Sequence, residues 1–134
     1  MRGVKVFGIV FLAGVFSGCQ VKPESAEPVQ LSKQEVTSLV KGKTVESFNL
    51  ISGSTSFTYY HPDGRVEQER FWERRTGYWK VNDKSEICLA MEGKPFSCRH
   101  IFLEGTKYYK YRVGDQGQLE KIIRYRQFID GKAI

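Results

Sequence analysis

The chain changes its hydrophobic rhythm along its length. Val6 to Phe16 is apolar or glycine throughout, Val21 to Gln30 is polar, and from Leu31 onward apolar and polar residues interleave. The interleaving is first helical. Val36, Leu39 and Val40 fall at i, i+3 and i+4, one apolar face of a helix. Ser32-Lys33-Gln34-Glu35 reads as a capping box, with Leu31 and Val36 at the two positions of a hydrophobic staple. Gly42 offers the left-handed backbone that ends a helix. About two to three turns cannot stand alone in water, so this helix must pack on something.

From Thr44 the rhythm becomes that of strands. The pattern predicts strands over Thr44 to Ile51, Phe57 to Tyr60, Arg65 to Trp72, Tyr78 to Val81, Glu86 to Met91, Ser97 to Leu103, Lys107 to Val113 and Leu119 to Ile129. Turn sequences separate them, strongest at His61-Pro62-Asp63-Gly64, where proline presets φ and glycine is free to go positive. Tyr109, Tyr111 and Val113 alternate with Tyr108, Lys110 and Arg112. Ile122 and Ile123 break the alternation, so a bulge or two buried faces is expected there. The expected fold is mainly β: a short N-terminal helix, then an antiparallel meander of seven or eight strands forming a small barrel or half-barrel.

Charge changes the reading of the N-terminus. Arg2 and Lys5 precede the apolar run, and Phe16-Ser17-Gly18-Cys19 follows it. A basic start, a short apolar core and small residues at a cut site form an export signal. The run is shorter than the roughly 20 apolar residues of a spanning helix, which disfavours an uncleaved anchor. The signal's end resembles the lipobox of bacterial lipoproteins, with Phe16 where that family prefers Leu. The resemblance implies that Cys19 becomes the first mature residue and carries acyl chains. Gln20 in place of Asp implies the periplasmic face of the outer membrane under the enterobacterial sorting rule. Two or more chains anchor a protein stably where one does so only marginally. The expected organisation is a signal peptide over 1–18, a lipidated tether over 19–31 and one β-rich domain over 32–134.

Cys88 and Cys98 remain, in a compartment where disulfides persist. They lie about equally far on either side of Gly93, so a hairpin would set them opposite each other and allow a structural disulfide. The net charge is +6 for the full chain, and 19 basic and 15 acidic residues remain once the signal is removed. The charges are spread and mixed in sign, so they read first as solubility charge, with a polyanionic surface as a possible partner.

The folded part resembles a group of small exported proteobacterial domains of unknown function. The residues that carry this are the capped helix, Gly42-Lys43-Thr44, Tyr59-Tyr60-His61-Pro62-Asp63-Gly64, Gly77-Tyr78-Trp79-Lys80-Val81, Cys88, Cys98 and Gly105-Thr106-Lys107-Tyr108. Lys43 stands where the group often has Asn. The resemblance implies a calycin-like or half-open β-barrel and no established activity.

Chemistry is sparse. His61 reads as a turn residue, and His100 shares a strand face with Cys98, which a disulfide would deprive of its thiolate. No spacing suggests a metal site or a cofactor, and no nucleophile elbow, phosphate loop or dinucleotide fingerprint is present. Arg124-Tyr125-Arg126 looks superficially like a nucleic-acid motif, but export argues against that partner. Arg70, Trp72, Arg74 and Arg75 form the expected contact patch, because Arg and Trp carry interface energy more often than most residues. The expected function is a non-catalytic, lipid-anchored envelope module that binds a protein or a polyanionic surface. The alternatives are a lipocalin-like carrier of a small apolar ligand and an inhibitor of an envelope-directed hydrolase, the latter disfavoured by like charge.

Overall fold

A computed structural model describes residues 27–134. The export signal, Cys19 and most of the tether lie outside the described residues. The chain starts with a two-residue strand, β1 (Val29–Gln30), followed by helix α1 (Lys33–Val40). Eight strands follow: β2 (Lys43–Asn49), β3 (Thr55–Tyr60), β4 (Arg65–Arg70), β5 (Glu73–Val81), β6 (Ile87–Met91), β7 (Ser97–Glu104), β8 (Lys107–Val113) and β9 (Leu119–Asp130).

Each of these eight strands pairs antiparallel with its sequence neighbour, and β9 pairs with β2 to close the ring. The fold is therefore a closed eight-stranded up-and-down barrel. Closure removes the exposed edges that an open sheet would leave. β6 pairs only with the first part of β7, from Ser97 to Arg99. β1 takes up the same edge further along, with Val29 opposite Leu103, and the Leu31 amide donates to the Ile101 carbonyl at 2.9 Å. Residues 29–31, read from the sequence as tether, thus belong to the barrel wall.

The helix forms as its sequence predicts. Ser32 Oγ accepts from the Glu35 amide at 3.2 Å, and Glu35 Oε1 accepts from the Ser32 amide at 2.8 Å. Gly42 does adopt a positive φ of 73°, but its amide donates to the Tyr60 carbonyl at 2.7 Å, not back to the helix. It is a joint between helix and barrel. Val36 and Val40 are wholly buried against Leu31, Val45, Tyr60, Val66, Trp79, Ile87, Ile101 and Tyr125. The helix therefore caps one end of the barrel, and this half of the lumen is filled by its own side chains. Trp79 lies edge-on to Tyr60 at 5.5 Å and its indole donates to the His61 carbonyl at 2.8 Å.

The expected bulge sits at Ile122: Lys110 opposes Ile123 while Tyr111 opposes Lys121, so Ile122 is the extra residue. A second register shift, at Arg126, lies against β2. Cys88 and Cys98 are direct register partners, disulfide-bonded, with Cα atoms 4.0 Å apart. The strand bounds also correct the sequence reading at one hairpin. β4 ends at Arg70 and β5 begins at Glu73, so Phe71-Trp72 is a two-residue turn, not the end of a strand. Aromatic residues are strand formers, which is why the pattern misplaces them.

Candidate functional site

In a meander, alternate hairpins fall at opposite ends. The β3–β4, β5–β6 and β7–β8 turns lie with the helix. The β2–β3, β4–β5, β6–β7 and β8–β9 turns lie at the other, uncapped end, the mouth. Nine large apolar side chains stand exposed among the described residues, and seven belong to the mouth. They are Leu50 and Ile51 in the first of these hairpins, Phe71 and Trp72 in the second, Phe96 in the third, and Val113 and Leu119 flanking the fourth. Single exposed apolar residues need no explanation, but here they concentrate at one end, as interaction surfaces often do.

The β4–β5 tip is the most pronounced. Trp72 is 97% exposed, whereas Trp79 is 8% exposed in the core. Phe71 has φ = 59°. That backbone suits glycine and is a genuine outlier for a bulky residue, costing about 1–3 kcal/mol. A two-residue hairpin loop normally places glycine or asparagine there. The tip thus carries two large aromatics in water on a strained backbone, a combination that folding alone does not favour.

The inner wall of the mouth half has a different chemistry. Register places Gln68 and Arg70 of β4, Arg75 of β5, Arg99 of β7 and Lys110 of β8 on the same side as the core residues Val66, Trp79, Ile101 and Tyr125. Gln68 organises one side. Its amide donates to Thr58 Oγ1 at 3.0 Å, and its carbonyl accepts from Arg75 Nη2 at 2.6 Å. On the other side, Arg99 Nη1 donates to the Cys98 carbonyl at 2.9 Å. The Nε atoms of Arg70, Arg75 and Arg99 are buried without a partner. Burial, then the Arg70 charge, draws the Arg75 pKa down. Burial, then the Arg99 charge, pulls Lys110 down to about 8.

None of these four cations is ion-paired among the described residues, whereas most ion pairs lie on the outer wall, where Arg124 is an exception with its Nε buried and unpartnered. Arg126 meets Glu46 at 3.5 Å, Lys121 meets Glu104 at 2.6 Å, and Arg65 meets Asp63 at 2.9 Å. Glu67 alone gathers His61 at 2.6 Å, Lys132 at 3.0 Å and Arg74 at 3.3 Å, and the Lys132 and His61 hydrogen bonds hold its carboxyl below the usual range. The carboxylates that register puts on the inner side of the mouth half, Glu73 and Glu120, sit at the strand ends, and Glu120 is taken by Arg112 at 2.8 Å.

The expected patch is therefore divided by the wall. Arg70 and Arg75 face the lumen, Arg74 faces outward onto Glu67 and Glu69, and Trp72 stands at the rim. The lumen members Arg99 and Lys110 escaped the sequence reading, because only a register shows which side of a strand meets which. His61 makes its turn as expected, its carbonyl accepting from the Gly64 amide at 3.1 Å, and its ring also joins the outer-wall ion cluster beside a groove of about 310 Å³. His100 lies 3.6 Å from Glu86, with its neighbour Cys98 held in the disulfide. No grouping of three or more potential metal ligands occurs among the described residues. Compared with protein-family models, curated proteins and solved structures, the chain matches none.

Proposed function

We propose that the chain is a non-catalytic binding module, held at the cell envelope by a lipid on Cys19, whose working face is the mouth of the barrel. The observation that carries this is the gathering of exposed apolar side chains on four hairpins at one end, with Phe71 strained to hold the tip. A surface of that kind suits an amphiphile or an apolar partner surface. The capped half is occupied by Tyr60, Trp79 and Tyr125, which leaves the carrier of a deeply enclosed apolar ligand without support.

Two measurements test the reading. Cys19→Ser should move the protein from the membrane pellet to the soluble fraction, and its retention in the pellet would remove the anchor from the proposal. The soluble Cys19→Ser chain then reports on the mouth through Trp72, whose emission should shift to the blue when octyl glucoside is added below its micellar concentration. Trp72→Phe should abolish that shift. Phe71→Gly should weaken it while leaving thermal stability equal or higher, because glycine relieves the strained φ. An emission spectrum unmoved by any amphiphile would sink the mouth as a binding face.

A further inference from the structure

We propose that the mouth half of the lumen is an oxyanion site, in which Arg70, Arg75, Arg99 and Lys110 hold the phosphate or carboxylate head of an amphiphile whose hydrocarbon part rests on the apolar rim. The inference rests on the mouth reading for the tail and stands independently for the head group.

The wall itself makes the case. Arg65, Arg74, Lys121 and Arg126 on its outer side are paired with carboxylates, whereas Arg70, Arg75, Arg99 and Lys110 on its inner side have no such pair among the described residues. Arg124 is the outer-side exception, and Arg112, at the inner strand end, is taken by Glu120. A half-buried charge without a partner is costly, and two close like charges are costlier still. Arg70 lies close enough to Arg75 to disfavour its charge, and Arg99 does the same to Lys110. An eight-stranded barrel has an interior just wide enough for side chains to fill. Cations from β4–β5 and from β7–β8, with β6 between the two pairs, therefore line the same narrow space. Among the described residues, only the carboxylates of Glu73 and Glu92 act against the Arg75 repulsion, and neither is ion-paired to it.

The guanidinium groups are also oriented. Arg75 is held through Gln68 and Thr58, and Arg99 through the Cys98 carbonyl. These neutral acceptors fix position without neutralising charge, and they leave the Nε donors of both residues free. A guanidinium with spare donors matches two oxygens of a carboxylate or phosphate, and such charge-assisted bonds are the strong ones. The ring of Leu50, Ile51, Phe71, Trp72 and Phe96 above the site suits an attached hydrocarbon.

The test titrates the soluble Cys19→Ser chain with octyl phosphate, octanoate and octyl glucoside below their micellar concentrations, by calorimetry and by Trp72 emission, with inorganic pyrophosphate as a probe lacking a tail. The anionic octyl compounds should bind at one site at least about tenfold tighter than octyl glucoside, and the tighter of the two identifies the head as phosphate or carboxylate. Arg75→Gln and Lys110→Gln should each weaken anion binding about tenfold without lowering the melting temperature, and Arg74→Gln on the outer wall should change neither. Equal binding of the neutral and anionic compounds, or anion binding indifferent to both inner-wall variants, overturns the proposal. If octyl glucoside moves Trp72 with no preference for anions, the mouth reading survives and the oxyanion site falls. If pyrophosphate binds through Arg75 and Lys110 while no octyl compound moves Trp72, the site survives and the mouth reading falls.

Discussion

Lys110 illustrates how one residue can work against the fold. Its pKa is pulled down to about 8 by burial and by Arg99, while an unfolded chain would hold the same proton to about 10.4. Below pH 8 both states are charged and the folded protein bears the full cost of that charge. Between roughly pH 8 and 10 the unfolded chain binds the extra proton, so stability should rise with pH across this window. Above it Tyr111, pushed up to about 12 by burial and by Glu104, opposes the trend, as do the buried Tyr60 and Tyr125. We expect Lys110→Met to be more stable than the wild type at pH 7 and to lack the rise between pH 8 and 10, read as urea midpoints. A less stable variant at pH 7 would show that the ammonium contributes to folding after all. Gly77 is the opposite case. A Cβ there would lie 2.1 Å from the Ala90 carbonyl oxygen, a backbone atom that cannot step aside. Gly77→Ala should therefore lose about 3 kcal/mol, the upper end for overpacking, measured by urea denaturation.

At the scale of elements, the locally encoded features were the legible ones. The capping box and staple of α1 need only five or six consecutive residues. The turn at Pro62-Asp63-Gly64 and the Ile122 bulge likewise declare themselves within a few positions. The Cys88–Cys98 pair could be placed because its hairpin is symmetric about Gly93. Its short closed loop implies that Cys88→Ala together with Cys98→Ala should cost roughly 2–3 kcal/mol by denaturant unfolding, and an unchanged midpoint would mean the bond adds nothing to β6–β7 pairing. What could not be read was the Phe71-Trp72 turn, where the local preference of two aromatics for strand is overridden. Nor could the sides of the wall be told apart, since Arg70, Arg74 and Arg75 acquire opposite environments only once β4 and β5 are in register. Local rules fail at the very hairpin where the mouth carries its most exposed side chains.

For the whole molecule, closure was legible only as one of two outcomes. Hairpin rhythm predicts a meander but says nothing of whether its last strand reaches its first. Here it does, with Lys43 opposite Asp130, and the seam is strapped by the chain beyond β9: Thr44 Oγ1 donates to the Gly131 carbonyl at 2.7 Å and accepts from the Ala133 amide at 2.8 Å. That strap, like β1, runs along the capped end. Both ends of the described chain therefore leave from the pole opposite the mouth. Coupled to a bead, a chip or a carrier protein by either terminus, the barrel would stand with its aromatic rim turned outward and its basic throat unobstructed, and an acyl chain at the N-terminal side would orient it in the same way above a bilayer.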